Sequence, residues 1–197
     1  AKIIVFPELC ITGYTCGDLF LQPLLLEEAS RQLLKIAECT VGKDALVMAG
    51  LPMEREGRLY NVAAVLYRGE ILGLVPKANI PSYAEFYEGR HFAEGNAEPV
   101  PFVFAGKPVP FGTNILFDCE SVHGLTVGCE VCEDLWVADS PGTNHALKGA
   151  TILANLSASN ETVGKDEYRE MLVKSASARL ICGYIYTSAG EGESTQD

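Results

Sequence analysis

The chain has 197 residues, 48% of them apolar, and a formal net charge of −11. This length suits one well-filled core and leaves little room for two, so a single globular α/β domain is expected. The negative charge argues against nucleic acid or an anionic membrane surface as a partner, because both would repel the protein.

The location of the protein is predicted from its apolar runs and its cysteines. No apolar run approaches the ~20 residues that cross a bilayer, and the first residues lead into Pro7 without a signal-peptide cleavage site. Seven scattered cysteines suit a reducing compartment better than a disulfide framework. We therefore expect a soluble, cytoplasmic protein. The first residue, Ala1, is not Met, and the last segment stops at Asp197 without a closing element. We therefore expect a fragment of a longer protein.

The first half of the chain predicts four strands and one helix. Short β-branched, apolar runs indicate buried strands, and Pro7 ends the first of them. Apolar residues interleaved with charged ones at helical spacing indicate an amphipathic helix. The turn Arg68-Gly69 between two apolar runs predicts a β-hairpin. The predicted strands are 2–6, 45–49, 59–67 and 70–75, and the predicted helix is 23–39.

The second half begins with a long segment that has no clear period. Residues 78–113 are rich in Pro, Gly and aromatic residues, which predicts a loop with one edge strand at 100–104. Strand and helix patterns alternate beyond it, which favours an α/β sandwich over a strictly parallel doubly wound sheet. The predicted strands there are 114–118, 125–131, 151–155 and 182–188, and the predicted helices are 141–149 and 166–180.

Candidate reactive side chains follow the ends of predicted strands. Glu8, Lys77, Cys132 and the segment 155–159 each lie just beyond an apolar run. The carboxyl ends of strands are where α/β sheets gather catalytic groups, so these four ends could meet in one pocket. Cleavage of an amide needs a nucleophile, a base and a partner for the oxyanion, and Cys, Glu and Lys can serve as these. Spacing alone does not separate them from a solvated Glu, a surface Lys and an inert buried thiol.

Other site chemistries find less support in the sequence. Cys129 and Cys132 form a C-x-x-C pattern, but no second pair of ligands accompanies it, and a regular strand would point the two sulfurs to opposite faces. The histidines at 91, 123 and 145 are isolated, which disfavours a papain-like site. The chain also lacks a G-x-S-x-G elbow and a phosphate-binding G-x-x-x-x-G-K-S/T loop. We therefore expect no metal site and no nucleotide site.

Three ordered segments resemble the nitrilase superfamily: FPELCITGY at 6–14, VPKANIP at 75–81 and VCEDLW at 131–136. Within that superfamily the chain is most similar to the glutaminase domains of glutamine-dependent NAD(+) synthetases. This resemblance covers essentially the whole chain and implies a four-layer α-β-β-α sandwich that lacks its first strand and helix. The stretches that carry the closer likeness are 15–20, 83–92, 155–159 and 190–195.

The resemblance assigns roles to particular residues. It implies Glu8 as the general base, Lys77 as the cation beside the tetrahedral intermediate, and Cys132 as the nucleophile that forms a γ-glutamyl thioester. At position 165 this chain has lysine where some relatives have arginine, which weakens a bidentate grip on a carboxylate. The implied substrate-binding residues are Tyr14, Tyr83, Glu133, Ser159 and Lys165, with Glu85 or Glu88 in support.

The function implied by the resemblance is hydrolysis of glutamine to glutamate and ammonia. One carbon-nitrogen hydrolase (glutamine amidotransferase) domain, truncated at both ends, would occupy 1–197 and need no cofactor. ATP and Mg would belong to an absent C-terminal synthetase domain, the partner that receives the ammonia, and a homo-oligomer is implied as well. Two alternatives stay open: a stand-alone amidase or carbamoylase acting on another amide, and an inactive fragment that serves as a scaffold or binding module.

Overall fold

A computed structural model describes residues 1–190 of the chain and confirms the α/β fold. Within these residues the α-helices are α1 (Pro23–Cys39), α2 (Pro141–Leu147) and α3 (Lys165–Leu180). The strands are β1 (Ile3–Val5), β2 (Leu46–Arg55), β3 (Arg58–Tyr67), β4 (Glu70–Pro76), β5 (Val100–Phe104), β6 (Lys107–Phe111), β7 (Leu116–Asp118), β8 (Thr126–Val131), β9 (Ile152–Leu156) and β10 (Gly183–Thr187).

The strands form two sheets. The first has the order β1-β2-β3-β4-β6-β5, and the second has the order β10-β9-β8-β7. In the first sheet β2, β3 and β4 are antiparallel neighbours, whereas β1 joins β2 in parallel. In the second sheet β8, β9 and β10 are parallel, so their carboxyl ends lie at one edge. Residues that follow these strands are therefore brought together.

Three buried apolar clusters stack the sheets and helices into four layers. Leu33 of α1 packs in one cluster with Val62 of β3, and Val65 of β3 packs in a second cluster with Val127 of β8. The third cluster contains Leu153 of β9, with apolar residues of α2 and α3 against it. Because side chains alternate along a strand, β3 serves the helix layer with one face and the other sheet with its opposite face. The layers are thus α1, first sheet, second sheet, and α2 with α3, the predicted α-β-β-α sandwich.

The predicted loop at 78–113 is wrong in one part. Residues 107–111 form β6, which pairs antiparallel with β5 and meets β4 at Leu74 and Phe111. Sequence reasoning missed this strand because Pro108 and Pro110 lack the N–H that a ladder uses and so lower strand propensity. The strand predicted at 45–49 is also longer than expected, since β2 continues through Pro52 to Arg55.

No helix in residues 1–190 is both long and apolar enough to cross a bilayer.

Gly50 of β2 lies against the backbone that carries Glu8. A Cβ at this position would be 2.3 Å from Leu9 N and 2.7 Å from Pro7 O, so a larger residue requires the backbone to move. We expect Gly50→Ala to lower the free energy of unfolding by about 1–3 kcal/mol, measured by denaturant unfolding. In Gly183→Ala the added carbon would lie 3.6 Å from Ile152, an ordinary contact. Equal losses in the two variants would contradict this packing argument.

Candidate active site

A buried ion pair joins the ends of two strands of the first sheet. Glu8 follows β1 and Lys77 follows β4. The Nζ of Lys77 donates to Oε1 of Glu8 at 2.8 Å, and neither side chain is exposed. An unpaired buried charge is costly, so each group requires the other to remain in place. The sequence analysis inferred that these strand ends could meet in one pocket, and Glu8 and Lys77 are in direct contact.

Glu88 is a second carboxylate on the same ammonium group. Lys77 Nζ donates to Oε1 of Glu88 at 2.6 Å, and the hydroxyl of Tyr14 donates to that oxygen at 2.8 Å. Burial alone would lower the pKa of Lys77, but the carboxylates of Glu8 and Glu88 outweigh it and raise that pKa well above its usual value. Lys77 is therefore a permanent cation. Tyr14 contacts Glu88 and is not among the residues that line the cavity described below.

Further contacts fix the orientation of Glu8. Its Oε1 also accepts from Nδ2 of Asn61 at 2.7 Å, and its Oε2 accepts from the backbone N–H of Ala158 at 2.9 Å. The backbone N–H of Glu8 donates to the carbonyl of Ser157 at 3.3 Å. Because Ala158 and Ser157 follow β9, these bonds connect the ion pair of the first sheet to the second sheet.

Cys132 occupies the turn directly after β8. Its φ of 45° is in the left-handed region, which costs a non-glycine residue roughly 1–2 kcal/mol, and Asn155 Nδ2 donates to its carbonyl at 3.3 Å. Burial, followed by the charge of Glu8, raises the pKa of the Cys132 thiol, while Lys77 opposes that rise. The thiol therefore rests protonated at neutral pH and needs a base before it can attack.

The turn also bears on the C-x-x-C pair, because it places Cys132 outside the strand. Cys129 and Cys132 share one buried cluster, and both are free cysteines. The sequence argument placed the two sulfurs on opposite faces of a regular strand, but only Cys129 lies in β8, which ends at Val131.

A cavity of about 220 Å³ opens at Cys132. This is small compared with pockets for drug-sized ligands, which measure roughly 300–1,000 Å³, so it suits a small substrate. The lining residues are Tyr83, Glu85, Phe86, Cys132, Glu133, Trp136, Ser159 and Lys165. Four of the five predicted substrate-binding residues are in this lining, and Tyr14 is the exception.

The cavity lining carries charges of both signs. Lys165 Nζ lies 5.4 Å from the ring centre of Phe86 and 5.6 Å from that of Trp136, within cation–π range. The hydroxyl of Tyr83 donates to both carboxylate oxygens of Glu133 at 3.0 Å. Burial, followed by the hydrogen bond to Glu133, raises the pKa of Tyr83 to about 12, so this hydroxyl stays a donor. A ligand with one ammonium and one carboxylate group would find a partner for each.

The two supporting glutamates predicted from the sequence have different positions. Glu88 contacts Lys77, whereas Glu85 lines the cavity and accepts a hydrogen bond from Asn160. Their segment has no secondary-structure period, so the sequence could not distinguish them. The predicted stretch 190–195 lies outside the described residues beyond Gly190.

Sequence reasoning missed Arg169. Its guanidinium donates to the carbonyl of Asn160 at 3.0 Å and lies 3.5 Å from the hydroxyl oxygen of Ser159. It also forms an ion pair with Glu161. Arg169 thus supports the segment that carries Ser159. The helical spacing of the sequence could have identified it. Lys165 and Arg169 are four residues apart on α3, so they lie on the same helix face.

Comparison with known proteins decides the family. The Carbon-nitrogen hydrolase family profile matches residues 1–190. The chain belongs to the carbon-nitrogen hydrolase family.

The relatives of this carbon-nitrogen hydrolase chain are long proteins. The chain is 43% identical over 197 residues to the glutamine-dependent NAD(+) synthetase of Mycobacterium tuberculosis (strain ATCC 25618 / H37Rv), covering 100% of this chain and 29% of the relative. The chain therefore spans less than a third of the length of the curated relatives it matches.

Solved structures show the same fold. The crystal structure of a glutamine-dependent NAD(+) synthetase from Cytophaga hutchinsonii matches with a TM-score of 0.84 and 34% identity, covering 95% of this chain and 30% of that one. An amidase from the nitrilase superfamily, from Nesterenkonia AN1, matches with a TM-score of 0.67 and 17% identity, covering 96% and 66%. This second likeness shows the fold alone, and the carbon-nitrogen hydrolase chain has a nitrilase-like fold.

Proposed function

We propose that this chain hydrolyses glutamine to glutamate and ammonia, as the glutaminase part of a glutamine-dependent NAD(+) synthetase. The observation that carries the proposal is the buried Cys132 thiol at a small cavity, beside a buried Glu8–Lys77 ion pair in the same fold. The charges of Glu8 and Lys77 both act on the pKa of that thiol. The names of the relatives support glutamine as the substrate.

In the first half of the reaction the Cys132 sulfur attacks the carboxamide carbon. Glu8 accepts the thiol proton, which is required because burial raises the pKa of that thiol. The carbonyl oxygen becomes an oxyanion, and the Lys77 ammonium stabilises it by charge and hydrogen bonding. When the tetrahedral intermediate collapses, the C–N bond breaks, Glu8 returns the proton to the nitrogen, ammonia leaves and a γ-glutamyl thioester remains.

In the second half water takes the place of ammonia. Glu8 removes a proton from the water, whose oxygen attacks the thioester carbon, and Lys77 again stabilises the oxyanion. The C–S bond then breaks, the sulfur regains its proton, and glutamate is released. Glu88 acts through Lys77, since it shares that ammonium and keeps it charged. The reaction needs no cofactor, because these side chains supply every proton and charge.

The charges of the cavity support an amino-acid amide as substrate. Glu133, held by Tyr83, would bind the α-ammonium group, and Glu85 adds negative charge. Lys165 would bind the α-carboxylate together with the hydroxyl of Ser159. A lysine is a point charge, so this contact lacks the bidentate geometry of an arginine.

The names of the relatives support a destination for the ammonia. We propose that it passes to a C-terminal synthetase domain of the same polypeptide, where ATP and Mg would be used. The seven cysteines are scattered along the chain and odd in number, which supports a reducing compartment such as the cytoplasm. A homo-oligomeric assembly remains part of this proposal.

Substrate profiling tests the proposal against its rivals. The wild-type chain is assayed for ammonia release from glutamine, simple aliphatic amides and N-carbamoyl amino acids. We expect glutamine to be preferred by kcat/KM. Preference for a simple amide or a carbamoyl compound would identify a stand-alone amidase or carbamoylase, and no release from any of them would favour an inert scaffold.

Lys165 provides a test of how the substrate is bound. We expect Lys165→Met to raise the KM for glutamine by about tenfold to 100-fold with little change in kcat. The variant loses its contact with the α-carboxylate of the substrate, and that group is remote from the reacting carbon. Lys174→Met is the matched control, since Lys174 lies on the same helix, is 72% exposed and pairs with Glu170. A large fall in kcat for Lys165→Met, or an equal rise of KM in both variants, would argue against this assignment.

A further inference from the structure

Two turns from different sheets are tied together at the active site. The first, residues 77–79 after β4, carries Lys77. The second begins at Val131, the last residue of β8, runs to Trp136 and carries Cys132. Three hydrogen bonds join these turns, and all three end on the carboxylate of Asp134. Asn79 donates to Oδ1 from its backbone at 2.8 Å and from its side chain at 2.9 Å, and Ala78 N donates to Oδ2 at 3.3 Å.

The same carboxylate also fixes the turn that carries the thiol. Val131, which precedes Cys132, donates its backbone N–H to Oδ2 of Asp134 at 3.0 Å. Asp134 is 1% exposed, and burial followed by the charge of Glu130 raises its pKa to about 7. Burying a carboxylate near another carboxylate is costly unless hydrogen bonds satisfy it. Four N–H groups donate to Asp134, and each of them belongs to one of the two turns. Asp134 is thus the shared acceptor for the backbone on both sides of the reaction centre.

We propose that Asp134 is a positioning residue that sets the separation of the Cys132 thiol and the Lys77 ammonium. The inference rests on the proposed function and extends it, because the sulfur and the ammonium must meet on one carbonyl group. The two side chains come from different sheets, so the position of one does not by itself determine the position of the other. A misplacement of about 1 Å in such a pair can cost about 100-fold in rate.

Asp134→Asn is the direct test. Asparagine keeps the shape and one acceptor oxygen, but it turns an NH₂ group toward the N–H donors of the two turns. We expect kcat to fall by about 30- to 100-fold while KM stays within about threefold of wild type, because the cavity lining is unchanged. Asp139→Asn is the matched control, since Asp139 follows on the same segment and is exposed. It should retain wild-type kcat and KM.

A second variant separates positioning from folding. Asn79→Ala removes one of the hydrogen bonds and leaves Asp134 in place, and we expect kcat to fall by about three- to tenfold. If both residues act through one contact, the double variant should be no slower than Asp134→Asn alone. Circular dichroism and thermal unfolding identify a variant that fails to fold. If Asp134→Asn does not fold, the kcat of Asn79→Ala alone tests the positioning role.

The outcomes distinguish this inference from the proposed function. Wild-type kcat in folded Asp134→Asn, a change confined to KM, or independent effects of the two substitutions would overturn the positioning role. The comparison is made on whichever amide the wild-type chain hydrolyses best. A substrate other than glutamine would defeat the proposed function and leave this test in place, whereas hydrolysis of no amide would overturn both.

Discussion

Replacing Cys132 with alanine should lower the rate of glutamine hydrolysis by about 10⁴-fold or more, because the variant cannot form the thioester. The fold should persist, since the substitution removes one sulfur atom from a small, buried side chain. The rate is measured as glutamate formation by purified wild-type and variant chains, with circular dichroism to confirm folding.

Cys129→Ala is the matched control for this prediction. Cys129 is fully buried, lies three residues earlier and belongs to the same apolar cluster. We expect the control to lose about 1 kcal/mol of stability and to keep its activity. Equal rates for the wild-type chain and Cys132→Ala would show that another group attacks the amide. Loss of activity in both variants would point to the core of the second sheet and away from a particular thiol.

Replacing Lys77 with methionine should damage both catalysis and stability. The variant loses the cation that stabilises the oxyanion, which should lower kcat by about 10²- to 10³-fold. It also leaves the carboxylates of Glu8 and Glu88 buried without a cation, which should cost about 3–5 kcal/mol. Denaturant unfolding measures the second effect. In the control Lys107→Met, an exposed pair with Glu70 is lost, and the expected cost is about 1 kcal/mol or less.

The stability of Lys77→Met should depend on pH in a definite direction. Burial raises the pKa of Glu88 even in the wild-type chain, where Lys77 opposes the rise. Without Lys77 the pKa of Glu88 in the folded state rises further above its value in the unfolded chain. The folded variant then binds protons more tightly, so its stability is greatest at low pH and is lost as pH rises. If the stability difference between Lys77→Met and the wild-type chain were the same at pH 8 as at pH 5.5, this account would be contradicted.

The sequence predicted regular elements well where one physical signal dominated. The helix at 23–39 and the hairpin that turns at Arg68-Gly69 follow from apolar spacing and turn chemistry, and both match the structure closely. β6 was missed because its two prolines argue against a strand, although its pairing with β5 tolerates them. Tertiary pairing therefore outweighed local propensity at this position.

The site was only partly predictable. That Glu8, Lys77 and Cys132 follow strand ends could be inferred from apolar runs, but contacts between residues 69 positions apart depend on how the strands are ordered. The family resemblance, and no spacing rule, singled out these three. The sequence could not predict that Glu88 contacts Lys77 while Glu85 lines the cavity, because both lie in a segment without a hydrophobic period.

Labelling with a glutamine-directed electrophile tests the central claim most directly. The wild-type chain is incubated with diazo-oxo-norleucine, digested, and its peptides are analysed by mass spectrometry. The account predicts one adduct, on Cys132, formed more slowly when glutamine is present and more slowly in Glu8→Gln. An adduct on another cysteine such as Cys10 or Cys129, or an adduct whose rate ignores glutamine, would contradict a shared site for the sulfur, the carboxylate and the ammonium.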